Sequence, residues 1–234
     1  MKKIIVYIVL VFFLKSCNVL NKTAKDQLSD GYYTQKSAVE KKKVFVDVVE
    51  DLVKIYPVNT ENSLAKIDTT HYSTFQSEML STEKIDFSLK QNNFDVDFLT
   101  IPLKFRFAEK GVPSQLNTNI SGVVYVGRRT DIYHLKYDTN PIGKSVRNTL
   151  HLGYSIGVFA GFGNTFMSPT NTSFRIEQEY DGVVFSKGIA GFVALNNFNI
   201  GLTVGFDNLL DGNKKIWIYQ NKPWIGIGFG VNLN

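Results

Sequence analysis

Side chains of alternating size and polarity recur along residues 83–234, and this pattern constrains the fold more than any other feature of the chain. The clearest cases are residues 150–162, 199–207 and 224–234, where bulky apolar residues alternate with mostly small or polar ones, glycine above all. Alternation with a period of two predicts β-strands, because successive side chains of a strand point to opposite faces. No stretch with a helical period is longer than the apolar run at the N-terminus, residues 4–14.

About eight such strands are expected between residue 83 and the C-terminus, which indicates an all-β fold built on an antiparallel up-and-down β-barrel. Asn196 and Asn197 predict a two-residue hairpin turn, whereas residues 163–180 and 208–223 predict longer connections. The strands are expected at 85–89, 99–107, 116–126, 131–137, 150–162, 183–195, 199–207 and 224–234.

The chain before this barrel is poorer in glycine and divides into shorter segments. A β-branched run at residues 43–49, followed by a partner at 52–57, predicts a small β-meander. The next residues are rich in serine, threonine and asparagine and lack a clear period, which is typical of a linker or long loop. The expected order is a signal peptide at 1–16, a tether at 17–30, the meander at 31–58, a linker at 59–82 and the barrel at 83–234.

The orientation of the two strand faces decides the class of barrel. In a soluble barrel or sandwich the bulky apolar face forms the core. In a membrane barrel that face contacts lipid, and the small polar face lines the interior. Glycine is costly on an exposed strand face but suits strands that crowd inside a narrow cylinder. The glycine-rich faces therefore favour the membrane version.

Charged residues on the small polar face give a second reason for this orientation, because a narrow barrel can pair both signs of charge internally. The predicted interior charges are Lys84, Lys104, Arg106, Asp86 and Asp207. The opposite face then looks outward. The bulky residues expected there include Leu152, Ile156, Leu202 and Ile227.

The N-terminus carries an export signal. Lys2 and Lys3 precede an unbroken apolar run at residues 4–14, which fits a signal-peptide core and is shorter than the roughly 20 residues of a membrane-spanning helix. The Leu-Lys-Ser-Cys sequence at residues 14–17 resembles the bacterial lipobox, in which a small residue precedes an invariant cysteine. The resemblance implies a lipoprotein that is cleaved before Cys17, with diacylglycerol on the thiol and an acyl chain such as palmitate on the new amino group. Several acyl chains together give stable anchoring.

Two further features bear on the destination of the chain. Residues 18–20 contain no aspartate that resembles an inner-membrane retention signal, which favours the periplasmic leaflet of the outer membrane. The closing segment, residues 224–234, resembles the last strand of outer-membrane barrel proteins. That resemblance implies a recognition signal for the insertion machinery, although Asn234 stands where an aromatic residue is more usual.

No group of residues in the sequence points to catalysis, a metal or a cofactor. His71, His134 and His151 are scattered without the carboxylate or cysteine spacing of a metal site, and no G-x-S-x-G motif is present. Asp86 and Asp207 could form an acid/base pair, but structural ion pairing is favoured. The net charge of +5 is too mild to indicate nucleic-acid binding. We therefore expect a protein that is not an enzyme.

The leading hypothesis is a lipid-anchored outer-membrane β-barrel with a structural or partner-binding role in the cell envelope. Its membrane partner is lipid, contacted through Cys17 and the barrel exterior, and the meander is the expected site for an envelope protein. The alternative is a lipid-anchored soluble periplasmic β-barrel that binds a small apolar ligand among its bulky residues. An acyl-hydrolase acting on outer-membrane lipid is a third and weaker hypothesis.

Overall fold

The computed structural model is all-β and describes residues 28–37, 40–59, 66–79, 85–195 and 198–232. Within these residues, no helix is long and apolar enough to cross a membrane. The signal peptide, the lipobox with Cys17, Lys84 and the predicted turn at residues 196–197 lie outside the described residues.

The strands are numbered in chain order. Those in the described residues are β1 Gly31–Lys36, β2 Lys41–Val49, β3 Leu52–Asn59, β4 Lys66–Ile67, β5 Ser73–Phe75, β6 Glu78–Met79, β7 Asp86–Arg106, β8 Gln115–Asn117, β9 Ser121–Thr139, β10 Ser145–Met167, β11 Tyr180–Leu195, β12 Phe198–Leu209 and β13 Pro223–Asn232. Short 3-10 turns lie at Thr170–Thr172 and Gly212–Lys215.

The chain forms two compact units. The first, called the meander unit, comprises the residues up to Leu89 together with Leu135–Thr149. The second, called the ring unit, comprises Lys90–His134 and Leu150–Asn234. Strands β7, β9 and β10 contribute residues to both units.

The meander unit contains the predicted β-meander. Strands β1, β2 and β3 pair in antiparallel order, and the tight connection between β2 and β3 passes through Glu50, which has a positive φ of 53°. Alternate residues of the hairpin, such as Val44, Val46, Val53 and Ile55, are buried, while the three lysines that begin β2 are exposed. The unit therefore has the usual arrangement of an apolar inside and a polar outside.

Short strands lie in the segment predicted to be a linker. Strand β5 pairs with β3, placing Phe75 opposite Val53, and β6 pairs with β10, placing Met79 opposite Ser145. These strands are only two or three residues long. A period of two cannot be recognised over so few residues, which explains why the sequence pattern did not reveal them.

The ring unit contains six strands that form a closed antiparallel ring. The order is β7, β9, β10, β11, β12 and β13, and β13 pairs back with β7. Strands that follow one another in this series are paired with each other. The all-β, up-and-down arrangement after a meander is therefore confirmed. The ring is irregular, because the register between β13 and β7 shifts between Ile227 and Phe229.

The ring has six strands instead of eight because two pairs of predicted strands are continuous. Strand β7 includes the expected strands at 85–89 and 99–107, and β9 includes most of those at 116–126 and 131–137. Polar residues interrupt the alternation at 90–93 and 127–130, so the sequence pattern divides each of these long strands into two. In the structure the backbone remains extended through both segments.

The bulky face of the ring points outward, as predicted. Ile156 is 71% exposed and Leu202 is 67% exposed; Leu152 is also exposed, and Ile227 is half-buried. Every strand of the ring carries at least one exposed large apolar side chain. One example from each strand, in order around the ring, is Phe105, Val124, Ile156, Ile189, Leu202 and Ile225.

Strand β7 departs from the predicted faces. Leu99 and Ile101 were expected on the outward face, but both are buried, whereas Phe105 is exposed as expected. The cause is an extra residue on β7: Ile227 pairs with Leu103 and Phe229 pairs with Thr100, so Ile101 and Pro102 of β7 oppose the single Gly228 of β13. A one-residue bulge reverses which side chains face inward.

Candidate functional site

The interior of the ring is packed with side chains and has polar layers on either side of an apolar middle. The apolar middle holds two large rings, Phe159 and Trp224, whose centroids lie 6.0 Å apart. A closed interior of this kind fits a narrow barrel filled by its own side chains. The buried residues of the middle are Leu99, Ile101, Val123, Tyr125, Phe159, Ala190, Phe192 and Trp224.

Glycines on the inward face give these large rings room. A Cβ atom on Gly205 would lie 2.5 Å from the Trp224 ring and 2.9 Å from the Phe159 ring. A Cβ atom on Gly157 would overlap the carbonyl oxygen of Val126. Both positions therefore require glycine for close approach, which accounts for the glycine-rich face seen in the sequence.

The first polar layer is an ion cluster around Asp207. The Lys104 ammonium lies 3.1 and 3.0 Å from the two carboxylate oxygens of Asp207, and an Nη2 nitrogen of Arg106 donates to the same carboxylate. The Ser186 hydroxyl donates to Asp207 at 2.6 Å and accepts from Lys104 at 3.1 Å. Lys104 also lies 4.5 Å from the centre of the Trp224 ring. All four members of the cluster are almost completely buried.

This cluster confirms part of the predicted set of interior charges. Lys104, Arg106 and Asp207 are together, as expected. Asp86 was wrongly placed inside: it is exposed and belongs to the meander unit. Phe87 and Leu89, expected on the outward face, are instead buried in the meander unit. The error arose because the start of β7 was treated as part of the barrel.

An aromatic plug lies against this ion cluster. The connection between β12 and β13 contributes Trp217, Ile218 and Tyr219, all buried against residues such as Met167. The guanidinium carbon of Arg106 lies 5.1 Å from the Trp217 ring centre and 5.3 Å from that of Tyr219. Burial raises the pKa of the Tyr219 phenol, and the nearby Arg106 opposes that rise. Tyr219 is therefore a neutral hydroxyl at physiological pH.

The second polar layer is centred on Asp131. The Nε2 atom of His151 lies 2.6 Å from Asp131, and the guanidinium of Arg129 donates to the same carboxylate at 2.9 and 3.1 Å. The His151 ring stacks on Tyr133 with a centroid distance of 4.7 Å. His151 thus faces the interior, as the sequence suggested. The arrangement is an ion-paired network that orients a histidine.

Sequence reasoning missed Arg129 and Asp131 because polar residues at 127–130 obscure the alternation between the strands expected at 116–126 and 131–137. A signal was present: their odd positions continue the inward series of Ser121 and Tyr125 on the same strand. The two buried carboxylates of β7, Asp95 and Asp97, were missed for a similar reason. Both lie within electrostatic range of Arg129, so this layer is rich in negative charge.

The other two histidines are on the surface. His71 is exposed in the meander unit and contacts Asp68 at 3.1 Å, and His134 is exposed on β9. Among the described residues, no group of three or more histidine, cysteine, aspartate or glutamate side chains could hold a metal ion. Comparison with known proteins found no matching family model, no matching curated protein and no matching solved structure.

Proposed function

We propose that the protein is a lipid-anchored outer-membrane β-barrel with a structural or partner-binding role in the cell envelope. The observation that carries the proposal is the inverted ring: large apolar side chains are exposed on all six strands, while buried charges lie inside. Monomeric soluble proteins rarely expose contiguous apolar patches of more than a few hundred Å². A surrounding hydrocarbon phase removes this apolar exterior from water.

The extent of the apolar exterior also supports a membrane. On β10, outward-facing residues from Leu150 to Phe166 are almost all apolar. A strand of that length, at about 3.3 Å per residue and a barrel-like tilt of about 40°, rises roughly 40 Å. That is enough to cross a hydrocarbon core of about 30 Å. Lys187 is an exposed exception on β11, opposite the small Ala160, and its long stem can carry the ammonium toward the membrane surface.

The alternative, a soluble barrel with an apolar ligand inside, has less support. It requires bulky residues such as Leu152, Ile156 and Leu202 to line a cavity, and these side chains are exposed. The interior positions between the polar layers are occupied by packed rings and by glycines. No specific observation favours a bound apolar ligand.

The decisive experiment removes the lipid and leaves the barrel. Residues 1–16 are replaced by an ordinary cleavable signal peptide and Cys17 by alanine, so that the exported protein carries no acyl chain and no retained signal peptide. We expect it to stay in the membrane fraction, to need detergent for extraction, and to migrate differently on gels before and after heating. A protein that is soluble without detergent would contradict the membrane barrel and favour the alternative.

Lipidation of Cys17 is a separate part of the proposal and has a separate test. Cells fed a labelled palmitate analogue should incorporate it into the natural chain and not into a Cys17→Ala chain.

The partner-binding role belongs, in this proposal, to the meander unit. A photo-crosslinking residue at Lys42, on the exposed basic end of β2, should then capture an envelope protein in living cells. The same probe at Val158, on the apolar exterior, should capture lipid.

A further inference from the structure

The ion cluster around Asp207 holds more positive than negative charge. Lys104 and Arg106 share the single carboxylate of Asp207, and all three side chains are at most 1% exposed. The nearby Glu109 does not correct the difference, because it is paired with Lys222 at 3.0 Å. A surplus positive charge away from water is unfavourable unless an anion compensates it.

Hydrogen-bond donors without acceptors surround this surplus charge. Among the described residues, the Nε and Nη1 atoms of Arg106, the indole nitrogen of Trp217 and the hydroxyl of Tyr219 are buried and have no hydrogen-bond partner. The side chains that carry these groups lie close together, because the guanidinium carbon of Arg106 is about 5 Å from both aromatic ring centres and the two ring centres are 6.2 Å apart. The aromatic faces stabilise the guanidinium charge, but they supply no acceptor for N–H groups.

We infer that a small monovalent anion of about the size of chloride binds beside Arg106, beneath the plug formed by Trp217 and Tyr219. The net charge of the cluster, the type of its hydrogen-bond donors and their burial all favour this class of ligand. A single negative charge neutralises the cluster, and guanidinium, indole and phenol groups are all donors to an anion. Because Arg106, Trp217 and Tyr219 are all at most 3% exposed, a large or strongly hydrated anion fits beside them poorly.

The anion has a structural consequence for the plug. The connection between β12 and β13 supplies two of the donor side chains, whereas Arg106 belongs to β7 and Asp207 to β12. A bound anion therefore joins the loop to the wall of the ring and stabilises the folded state according to its concentration. This inference does not depend on what surrounds the ring, so it can fail or succeed independently of the membrane proposal.

The test measures the thermal unfolding midpoint of the full-length purified protein, with near-UV circular dichroism as the readout. Sodium chloride is exchanged for sodium gluconate at constant ionic strength, which leaves screening unchanged. We expect the midpoint to rise with chloride and then to saturate, with bromide acting like chloride. A midpoint that does not depend on the anion would overturn the inference, since water or the protein itself would then satisfy the donors.

Three variants locate the site. Arg106→Gln should abolish the saturable chloride effect, and Asp207 keeps Lys104 and Ser186 as partners in that variant. Trp217→Phe keeps an aromatic ring but removes one donor, so the chloride concentration for half of the effect should rise roughly tenfold. Lys187→Gln removes an exposed positive charge and should leave the chloride effect unchanged.

If Arg106→Gln does not fold, Trp217→Phe and Tyr219→Phe carry the test alone. An unchanged chloride dependence in both of these conservative variants would refute the site beneath the plug. Loss of the effect in Lys187→Gln would also refute it, because general surface electrostatics would then explain the response.

Discussion

Two ion pairs of the same length show how differently the two units treat charge. In the meander unit, the Lys144 ammonium lies 3.0 Å from Glu78, and both side chains are about half exposed. In the ring unit, Lys104 lies 3.0 Å from Asp207, and neither side chain has any exposed surface. Apolar strand residues differ in the opposite direction: Val44 and Val46 of the meander hairpin are buried, whereas Ile156 and Leu202 of the ring are exposed.

The strands of both units follow the same rule of segregating polar from apolar side chains. Each strand has one polar and one apolar face. When water surrounds a unit, the stable arrangement directs the apolar face inward. The ring directs its apolar face outward and its charges inward, which is the stable choice when hydrocarbon is outside. Single substitutions at matched positions in the two units should therefore have different effects.

The largest effect is expected from the buried carboxylate. Asp207→Asn removes the one carboxylate that the buried Lys104 and Arg106 share, so it should reduce the free energy of unfolding by about 3–5 kcal/mol. The matched variant in the meander unit, Glu78→Gln, should reduce it by only about 0–1 kcal/mol, because water solvates the remaining Lys144. Urea unfolding of both variants in the same detergent measures the difference. Equal effects would mean that the ring interior is as wet as the meander surface.

The next largest effect concerns the exposed apolar residues. Ile156→Arg places a charge on the exterior of the ring and should make insertion and folding less favourable by about 2–4 kcal/mol. Ile142→Arg changes an isoleucine of similar exposure, 78% against 71%, in the meander unit. It should stay within about 0.5 kcal/mol of the natural protein. The yield of heat-modifiable folded protein in lipid vesicles checks both variants.

A neutral result for Ile156→Arg would remove the main support for a membrane around the ring. A loss of stability in Ile142→Arg would show that exposure of an isoleucine does not distinguish the two units. Either outcome would also leave the inverted faces of the ring without a physical explanation.

Local alternation was enough to predict the faces on most of the ring, because residues such as Ile156 and Leu202 differ strongly in size from their glycine neighbours. It failed on β7, where the extra residue between the partners of Ile227 and Phe229 reverses the inward face and buries Leu99 and Ile101. A bulge depends on pairing between strands that are far apart in sequence. No single strand's pattern contains that information.

The polar layers were predictable to different degrees. Lys104 and Arg106 lie in one clear alternating run, so their partnership with Asp207 could be anticipated from the shared interior. Arg129 and Asp131 lie where the alternation is obscured by polar residues on both faces, so the pattern predicts two strands, 116–126 and 131–137, in place of one. Only the neighbouring strands show that the backbone continues as an extended strand.

A third and smaller effect separates inward from outward glycines. Gly157→Ala should reduce the free energy of unfolding by about 1–3 kcal/mol, because the added Cβ atom overlaps the Val126 carbonyl. Gly191 lies on the adjacent strand but is exposed, and the nearest atom to an added Cβ is 3.8 Å away. Gly191→Ala should therefore be neutral or slightly stabilising. Urea unfolding of the pair measures the difference, and equal losses would contradict the crowded interior.

The smallest effect comes from single hydroxyl groups. The Tyr33 hydroxyl of the meander unit donates to the Ser29 carbonyl at 2.8 Å, near partly exposed backbone that water can reach. Tyr33→Phe should therefore reduce the free energy of unfolding by only about 0.5–1.5 kcal/mol. The Tyr125 hydroxyl of the ring unit lies 2.6 Å from Ser155, and both residues are buried. Tyr125→Phe leaves the buried Ser155 hydroxyl without this partner. The free energy of unfolding should therefore fall more in Tyr125→Phe than in Tyr33→Phe. If Tyr33→Phe proves more harmful, the contrast between a dry ring and a wet meander surface does not extend to neutral polar groups.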